Sequence, residues 1–143
     1  MVLTKGSGVR GQGSVRNRIQ SFRDLLVWQK AILLAKEIYG VTSKFPKEEQ
    51  FGLVSQMRRA SVSVSSNIAE GHCRQGAEFR YFLSIARGSL GEVESQLHLA
   101  VELRYLSLSD TLVACSLAEE IRKMIVALSK KLTPHPSPLT PAP

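Results

Sequence analysis

Residues 51–71, FGLVSQMRRASVSVSSNIAEG, constrain the fold more than any other part of the chain. Leu53, Met57, Ala60, Val64 and Ile68 recur at steps of four, three, four and four. That is the period of one helix face, and the stretch is long enough for about five or six turns. Phe51, Val54, Val62 and Ala69 form a second apolar strip, rotated by about a third of a turn. From Ala60 to Ala69 there is no charge, and Ser61, Ser63, Ser65, Ser66 and Asn67 stand where a surface helix would carry Lys and Glu. A helix that is apolar or small on most sides is buried on most sides. One small domain does not enclose a helix that fully. The stretch is therefore expected to lie in a bundle and to touch something outside it, most simply another copy of the chain.

The remaining stripe of this helix is polar and ordered. Arg59, Ser63, Ser66 and Glu70 fall at i, i+4, i+7 and i+11, with Asn67 at the edge. Buried charges need partners, so these side chains are expected to bond across an interface. A solvated stripe is the competing reading, and the charge-free serine run between Arg59 and Glu70 speaks against it.

The rest of the chain reads as three more helices between irregular ends. Residues 1–20 are rich in Gly, Ser and Arg and lack periodicity, which predicts a disordered basic arm. Ser21 and Asp24 resemble a capping box opening a first helix over residues 24–44. Leu25, Trp28, Ile32, Ala35, Tyr39 and Thr42 share one of its faces, with Ala31 and Ile38 beside them, while Leu26 and Leu33 stack on another and hint at a contact. Phe45-Pro46 breaks that helix. Pro46 suits the first position of the next, with Glu48 and Glu49 in its positive first turn and Gly71 as its C-terminal cap.

A third helix is expected over residues 77–103. Phe79, Phe82, Leu83, Ala86, Leu90, Val93, Leu97 and Ala100 make its core face. Ser84, Gly88, Gly91 and Ser95 line the opposite side, and the two glycines cost about 1 kcal/mol each relative to Ala. Close approach of another backbone would explain that cost. Glu78, Ser89, Glu92 and Gln96 form a polar row suited to meet the row on the second helix. Arg80 and Arg87 stack at i, i+7, with His98 below. Ser107 and Asp110 look like a second capping box before a fourth helix over residues 109–132. Its apolar face is Leu117, Ala118, Ile121, Ile125 and Leu128, opposite Glu119, Arg122, Lys123 and Lys130. Residues 133–143 hold five of the six prolines and read as linker material. No strand-like alternation competes. The expected architecture is all-α: an antiparallel up-down-up-down four-helix bundle over residues 21–132, between a disordered N-terminal arm and a Pro-rich C-terminal tail.

Charge and composition narrow the function classes. With 43% hydrophobic and 22% charged residues the chain suits a soluble globular protein. No apolar run has membrane-spanning length, and the N-terminus lacks the apolar core of a signal peptide, so cytoplasmic residence without a membrane partner is expected. The net charge is 19 − 12 = +7. Residues 1–23 carry Lys5, Arg10, Arg16, Arg18 and Arg23 and no acid, giving +5, whereas residues 24–143 carry fourteen basic against twelve acidic side chains. Such an arm favours a polyanion without sequence preference. Cys73 and Cys115 imply neither a disulfide framework nor a metal pattern, and His72-Cys73 lacks a second pair. No nucleophile elbow, phosphate loop or Glu-x-x-His repeat is present. The expectation is a protein that is not an enzyme and needs no cofactor.

Several motifs, in order, carry a family resemblance. They are Phe22-Arg23-Asp24-Leu25 through Trp28-Gln29-Lys30-Ala31, Phe45-Pro46 with Glu49, and Gln56-Met57-Arg58-Arg59-Ala60. Ser66-Asn67-Ile68-Ala69-Glu70-Gly71 and Phe82-Leu83-Ser84-Ile85-Ala86-Arg87-Gly88-Ser89-Leu90 follow. Over residues 21–130 the chain resembles the bacterial four-helix-bundle proteins encoded in intervening sequences of 23S rRNA genes. The resemblance implies a ring-like homopentamer. It also implies kinship with accessory proteins of diversity-generating retroelements, which bind nucleic acid and a reverse transcriptase. It carries over no catalytic residue. The candidate nucleic-acid contacts are Arg16, Arg18, Arg23, Arg58, Arg80 and Arg87. The candidate oligomer interface is Arg59, Ser63, Asn67, Glu70, Gly88, Ser89 and Glu92. The expected function is a homo-oligomer, likewise pentameric by the resemblance, that binds RNA or DNA through repeated basic patches. The alternative is a protein-interaction scaffold or accessory subunit of a reverse transcriptase.

Overall fold

The structure, a computed structural model, describes residues 19–132. Among them are four α-helices, α1 (Leu26–Thr42), α2 (Leu53–Arg74), α3 (Gly76–Glu102) and α4 (Leu112–Ser129), and no strand. The expected arm lies outside the described residues except for Ile19 and Gln20, and the Pro-rich tail lies wholly outside them.

Both capping boxes form, though neither opens an α-helix directly. The Ser21 hydroxyl accepts from the Arg23 N–H at 3.1 Å, and the Asp24 carboxylate accepts from the Ser21 N–H at 3.2 Å. This box caps a 3-10 turn at Phe22–Asp24, and Leu25 is extended, so α1 starts at Leu26 rather than Asp24. At the other box the Ser107 N–H donates to Asp110 at 2.8 Å and the Asp110 N–H donates back to the Ser107 hydroxyl at 3.2 Å. It precedes a 3-10 turn at Ser109–Thr111 that leads into α4.

The entry to α2 departs from expectation. Pro46 begins a separate 3-10 turn at Lys47–Glu49, and Phe51 falls outside the helix. Glu49 then reaches forward. Its Oε1 accepts the Leu53 N–H at 3.1 Å, one of the donors that a helix start leaves unpaired. Its Oε2 accepts the Tyr105 hydroxyl at 2.8 Å, tying the α1–α2 connection to the α3–α4 connection. The Leu53 amide, and then Tyr105, hold the Glu49 carboxyl below its usual range, and the same bond raises the Tyr105 phenol.

Gly71 does not cap α2. The helix continues to Arg74 and ends at Gln75, where φ is +66°. Gly71 is instead a point of close approach: a Cβ there would lie 2.8 Å from the Phe82 Cβ and 2.9 Å from the Phe79 Cδ1. The turn itself falls to Gln75 and Gly76, both at positive φ. A single glycine at 71 thus lets the aromatic start of α3 fold back against the end of α2.

Each helix packs on two others, α1 on α2 and α4, α3 on α2 and α4. Side-chain bonds join the end of one helix to the start of another. Arg58, early in α2, bonds Thr42 at the end of α1; Arg80, early in α3, bonds the Leu132 carbonyl beyond α4; Lys44, after α1, pairs with Asp110, before α4. That pattern is compatible with up-down-up-down order. The core takes Leu53, Met57, Ala60, Val64 and Ile68 from α2, the five residues the period picks out. From α3 it takes Phe79, Leu83, Ala86, Leu90, Val93, Leu97 and Ala100, and from α4 Ala114, Ala118, Ile121 and Ile125.

On α1 the core face is shifted from the expected one. Val27, Ala31, Leu34, Ile38 and Val41 are buried, while Trp28, Ile32 and Ala35 are half-buried and Tyr39 is exposed. The second apolar strip of α2 also fails as a unit: Val54 is buried, Val62 is exposed, and Phe51 is 94% exposed.

Candidate nucleic-acid and subunit interfaces

Only part of the expected basic set is available to an outside anion. Arg16 and Arg18 lie outside the described residues. Arg23 stacks on the Phe22 ring at 4.7 Å, at the start of α1. Arg58 is engaged within the subunit. Its Nε donates to the Thr42 hydroxyl at 2.9 Å, its Nη2 to the Tyr39 carbonyl at 3.3 Å, and its guanidinium lies 4.4 Å from the Tyr39 ring centre. It is a clamp between α1 and α2. Arg80 donates to the Leu132 carbonyl at 3.4 Å. Arg87, two turns along the same strip of α3, is exposed and forms no ion pair among the described residues.

The Arg80 bond has a consequence that sequence order hides. It brings the end of α4, with Lys130 and Lys131, to the start of α3. The result is a basic end of the bundle made by Arg80, Lys130 and Lys131, with Arg87 two turns further along α3, and none of the four has a carboxylate ion-pair partner among the described residues. Arg58 stands at the opposite end and does not join it. Other arginines are neutralised locally. Arg74 bridges Glu70 at 2.7 Å and Glu78 at 3.1 Å, and Arg122 pairs with Glu119 and Glu94. Those carboxylates raise both guanidinium pKa values, Glu70 dominating for Arg74 and Glu94 for Arg122.

The expected interface residues divide into two groups. Ser63, Asn67, Glu70 and Ser89, expected to bond across an interface, find partners inside the subunit instead, and the polar rows of α2 and α3 touch at Ser63 and Ser89. The Ser63 and Ser89 hydroxyls share a hydrogen bond at 2.9 Å, and the Asn67 amide donates to the Ser63 carbonyl at 2.8 Å and hydroxyl at 3.0 Å. Glu70 is held by Arg74. Arg59, Gly88 and Glu92 are exposed, and neither Arg59 nor Glu92 has an ion-pair partner among the described residues. Ser84, Gly88, Gly91 and Ser95 line an open stripe, and a Cβ added at either glycine would meet nothing within 4 Å. Gln96, seven residues beyond Ser89 on the same face, is buried, and its Oε1 has no hydrogen-bond partner among the described residues. Leaving a buried acceptor unpaired costs about 1–3 kcal/mol, so a donor from elsewhere would be stabilising there.

Two apolar features remain at the surface. One is Phe51, standing almost free at the foot of α2. The other is a groove of about 630 Å³ between α1 and α4, floored by Leu33, Leu112, Val113 and Leu117. Leu33 is the expected outer-face leucine, and Leu26 beside it is exposed as well. No group of three His, Cys, Asp or Glu among the described residues could hold a metal ion. No helix there is long and apolar enough to cross a membrane.

Comparison with known proteins adds a family and a fold. A family model described as 23S rRNA-intervening sequence protein matches residues 23–127. A crystal structure of a protein with unknown function from the S23 ribosomal protein family of Bacteroides thetaiotaomicron is 24% identical, with a TM-score of 0.65. The match covers 73% of this chain and 99% of that one, and at this identity it bears on the fold alone. No curated protein matches the chain.

Proposed function

Because the chain belongs to the 23S rRNA-intervening sequence protein family, we propose that it is a non-enzymatic homo-oligomer that binds nucleic acid, RNA above all, through basic clusters repeated around the assembly. A pentamer is the form that the resemblance implies. The observation that supports the binding half is the basic end of the bundle, where Arg80 meets the Lys130–Lys131 end of α4 and Arg87 follows two turns along α3, all without ion-paired carboxylates among the described residues. Four cations on one subunit make a weak site. Copies of it on a ring act together, since the second contact along one strand becomes intramolecular. The basic residues of the arm add charge to each copy.

The assembly half is supported by the outer strip of α2, where Val62 and Ser66 are exposed and Arg59 has no partner. Glu92 on α3 offers the opposite charge to a second copy.

Fluorescence anisotropy of a labelled single-stranded RNA, titrated at several salt concentrations, tests the binding. Affinity is expected to fall steeply with salt, by a slope of about −0.7 per phosphate neutralised on a single strand. Replacing both Arg80 and Arg87 by Ala should weaken binding and flatten that slope by about 1.4, two phosphate contacts fewer. Absence of RNA or DNA binding at low salt would end the proposal. The groove between α1 and α4 favours a second reading, a protein-interaction scaffold or reverse-transcriptase accessory subunit. Recovery of a protein partner after nuclease treatment distinguishes it.

A further inference from the structure

The two unassigned apolar features are separate patches of one subunit. Phe51 stands at the foot of α2, in its connection to α1, and the groove lies between the second half of α1 and the start of α4. We infer that the groove of one copy receives Phe51 of the next, so that subunits join head to tail. The inference rests on the homo-oligomer reading above and gives it a defined contact.

Size, charge and rigidity fit this occupant. A buried aromatic side chain removes about 150–250 Å² from water, and Phe51 presents nearly all of its surface. The groove floor of Leu33, Leu112, Val113 and Leu117 is aliphatic and wide enough for one ring. Its rim carries Lys36 and Glu37, while Lys47 and Glu48 lead into Phe51. None of these four has an ion-pair partner among the described residues, so Lys36 can face Glu48 and Glu37 can face Lys47. The backbone turn that carries Phe51 is held. Two residues before it Glu49 is bonded to Leu53 and Tyr105, so the turn that presents the ring is braced from both sides. An anchor held in its bound form loses little freedom on docking.

The geometry also explains how copies could continue to add. A contact between two different patches leaves each subunit with one patch unfilled, and such chains grow until the rotation closes them into a ring. One ring is too small for a stable interface of about 1,200 Å² or more. The adjoining outer strip of α2, with Val62 and Ser66, is placed to supply the remaining area.

Phe51→Asp and Val113→Asp test this in the full chain, with Phe51→Ala as a milder companion. Both positions are exposed, at 94% and 54%, so each variant should keep the wild-type helical circular dichroism spectrum. Mass is read by light scattering after size exclusion. The expected result is a wild-type oligomer, with either Asp variant falling to the subunit mass of 15.8 kDa. Mixed one to one, the variants should form a dimer and nothing larger, because Phe51 of one still fits the groove of the other. Two dissociated variants that stay apart on mixing would overturn the inference, because the intact Phe51 of one would then not bind the intact groove of the other. A wild-type oligomer that Phe51→Asp leaves intact overturns it too, including the case where only Val113→Asp dissociates and the groove holds some other segment. A wild-type chain of single-subunit mass overturns this inference and the homo-oligomer reading together.

Discussion

Gly71, in the last turn of α2, and Gly88, near the middle of α3, are both helical, yet Ala should act on them in opposite directions. Either substitution recovers about 1 kcal/mol of helix propensity. At Gly71 the new methyl would stand 2.8 Å from the Phe82 Cβ, 2.9 Å from the Phe79 Cδ1 and 3.2 Å from the Phe79 carbonyl oxygen. Two of those atoms are fixed to the α3 backbone and cannot swing aside. Overpacking of this kind costs about 1–3 kcal/mol. The balance is a loss of about 1 kcal/mol for Gly71→Ala, or about 3–5 °C in Tm for a domain of this size. At Gly88 nothing lies within 4 Å, so Gly88→Ala should gain about 1 kcal/mol. Urea unfolding followed by circular dichroism, at the lowest workable concentration, reads both. Gly71→Ala as stable as wild type would refute the close α2–α3 approach. A loss at Gly88→Ala would refute the open stripe and mean that another backbone covers it.

Further outcomes follow from single residues. Ile38 is fully buried, so Ile38→Ala should cost about 2–5 kcal/mol in the same unfolding assay. Arg58→Ala should lower stability through loss of the Thr42 and Tyr39 contacts while leaving RNA affinity nearer wild type than Arg87→Ala does, by anisotropy. Glu49 and Asp110 have depressed carboxyl pKa values, set first by the Leu53 and Ser107 amides respectively. Their contribution is present above the ordinary carboxylate pKa and is lost as pH falls through the lowered values. Tm should therefore drop on acidification below about pH 4, and Glu49→Gln should show a shallower drop; an equally steep drop in that variant would remove Glu49 from the account.

The sequence was most legible where one apolar stripe was narrow. The steps of α2 name its five core residues because serines occupy the positions beside them. In α1, residues 25–35 are apolar nearly all round, so more than one stripe satisfies a helical period. Packing against α2 and α4 chose Val27, Ala31, Leu34, Ile38 and Val41, whose steps of four, three, four and three keep one seam facing inward. Local caps were readable as well, since Ser21 with Asp24 and Ser107 with Asp110 need only near neighbours. Gly71 was misread for a related reason. A glycine after a helical run looks like a cap, and what fixes its role is the ring of Phe79 and the backbone of α3 folding back upon it. The basic end was hidden because Lys130 and Arg80 are fifty residues apart and meet only through the Leu132 carbonyl. Arg58, conversely, looks free in the sequence because nothing there pairs it with Thr42.

Sedimentation equilibrium of the full chain at micromolar concentration tests the central claim, that copies close over the outer strip of α2. The account predicts a concentration-stable species whose mass is a whole multiple of 15.8 kDa, five for the pentamer of the resemblance. A species at 15.8 kDa across that range would contradict it.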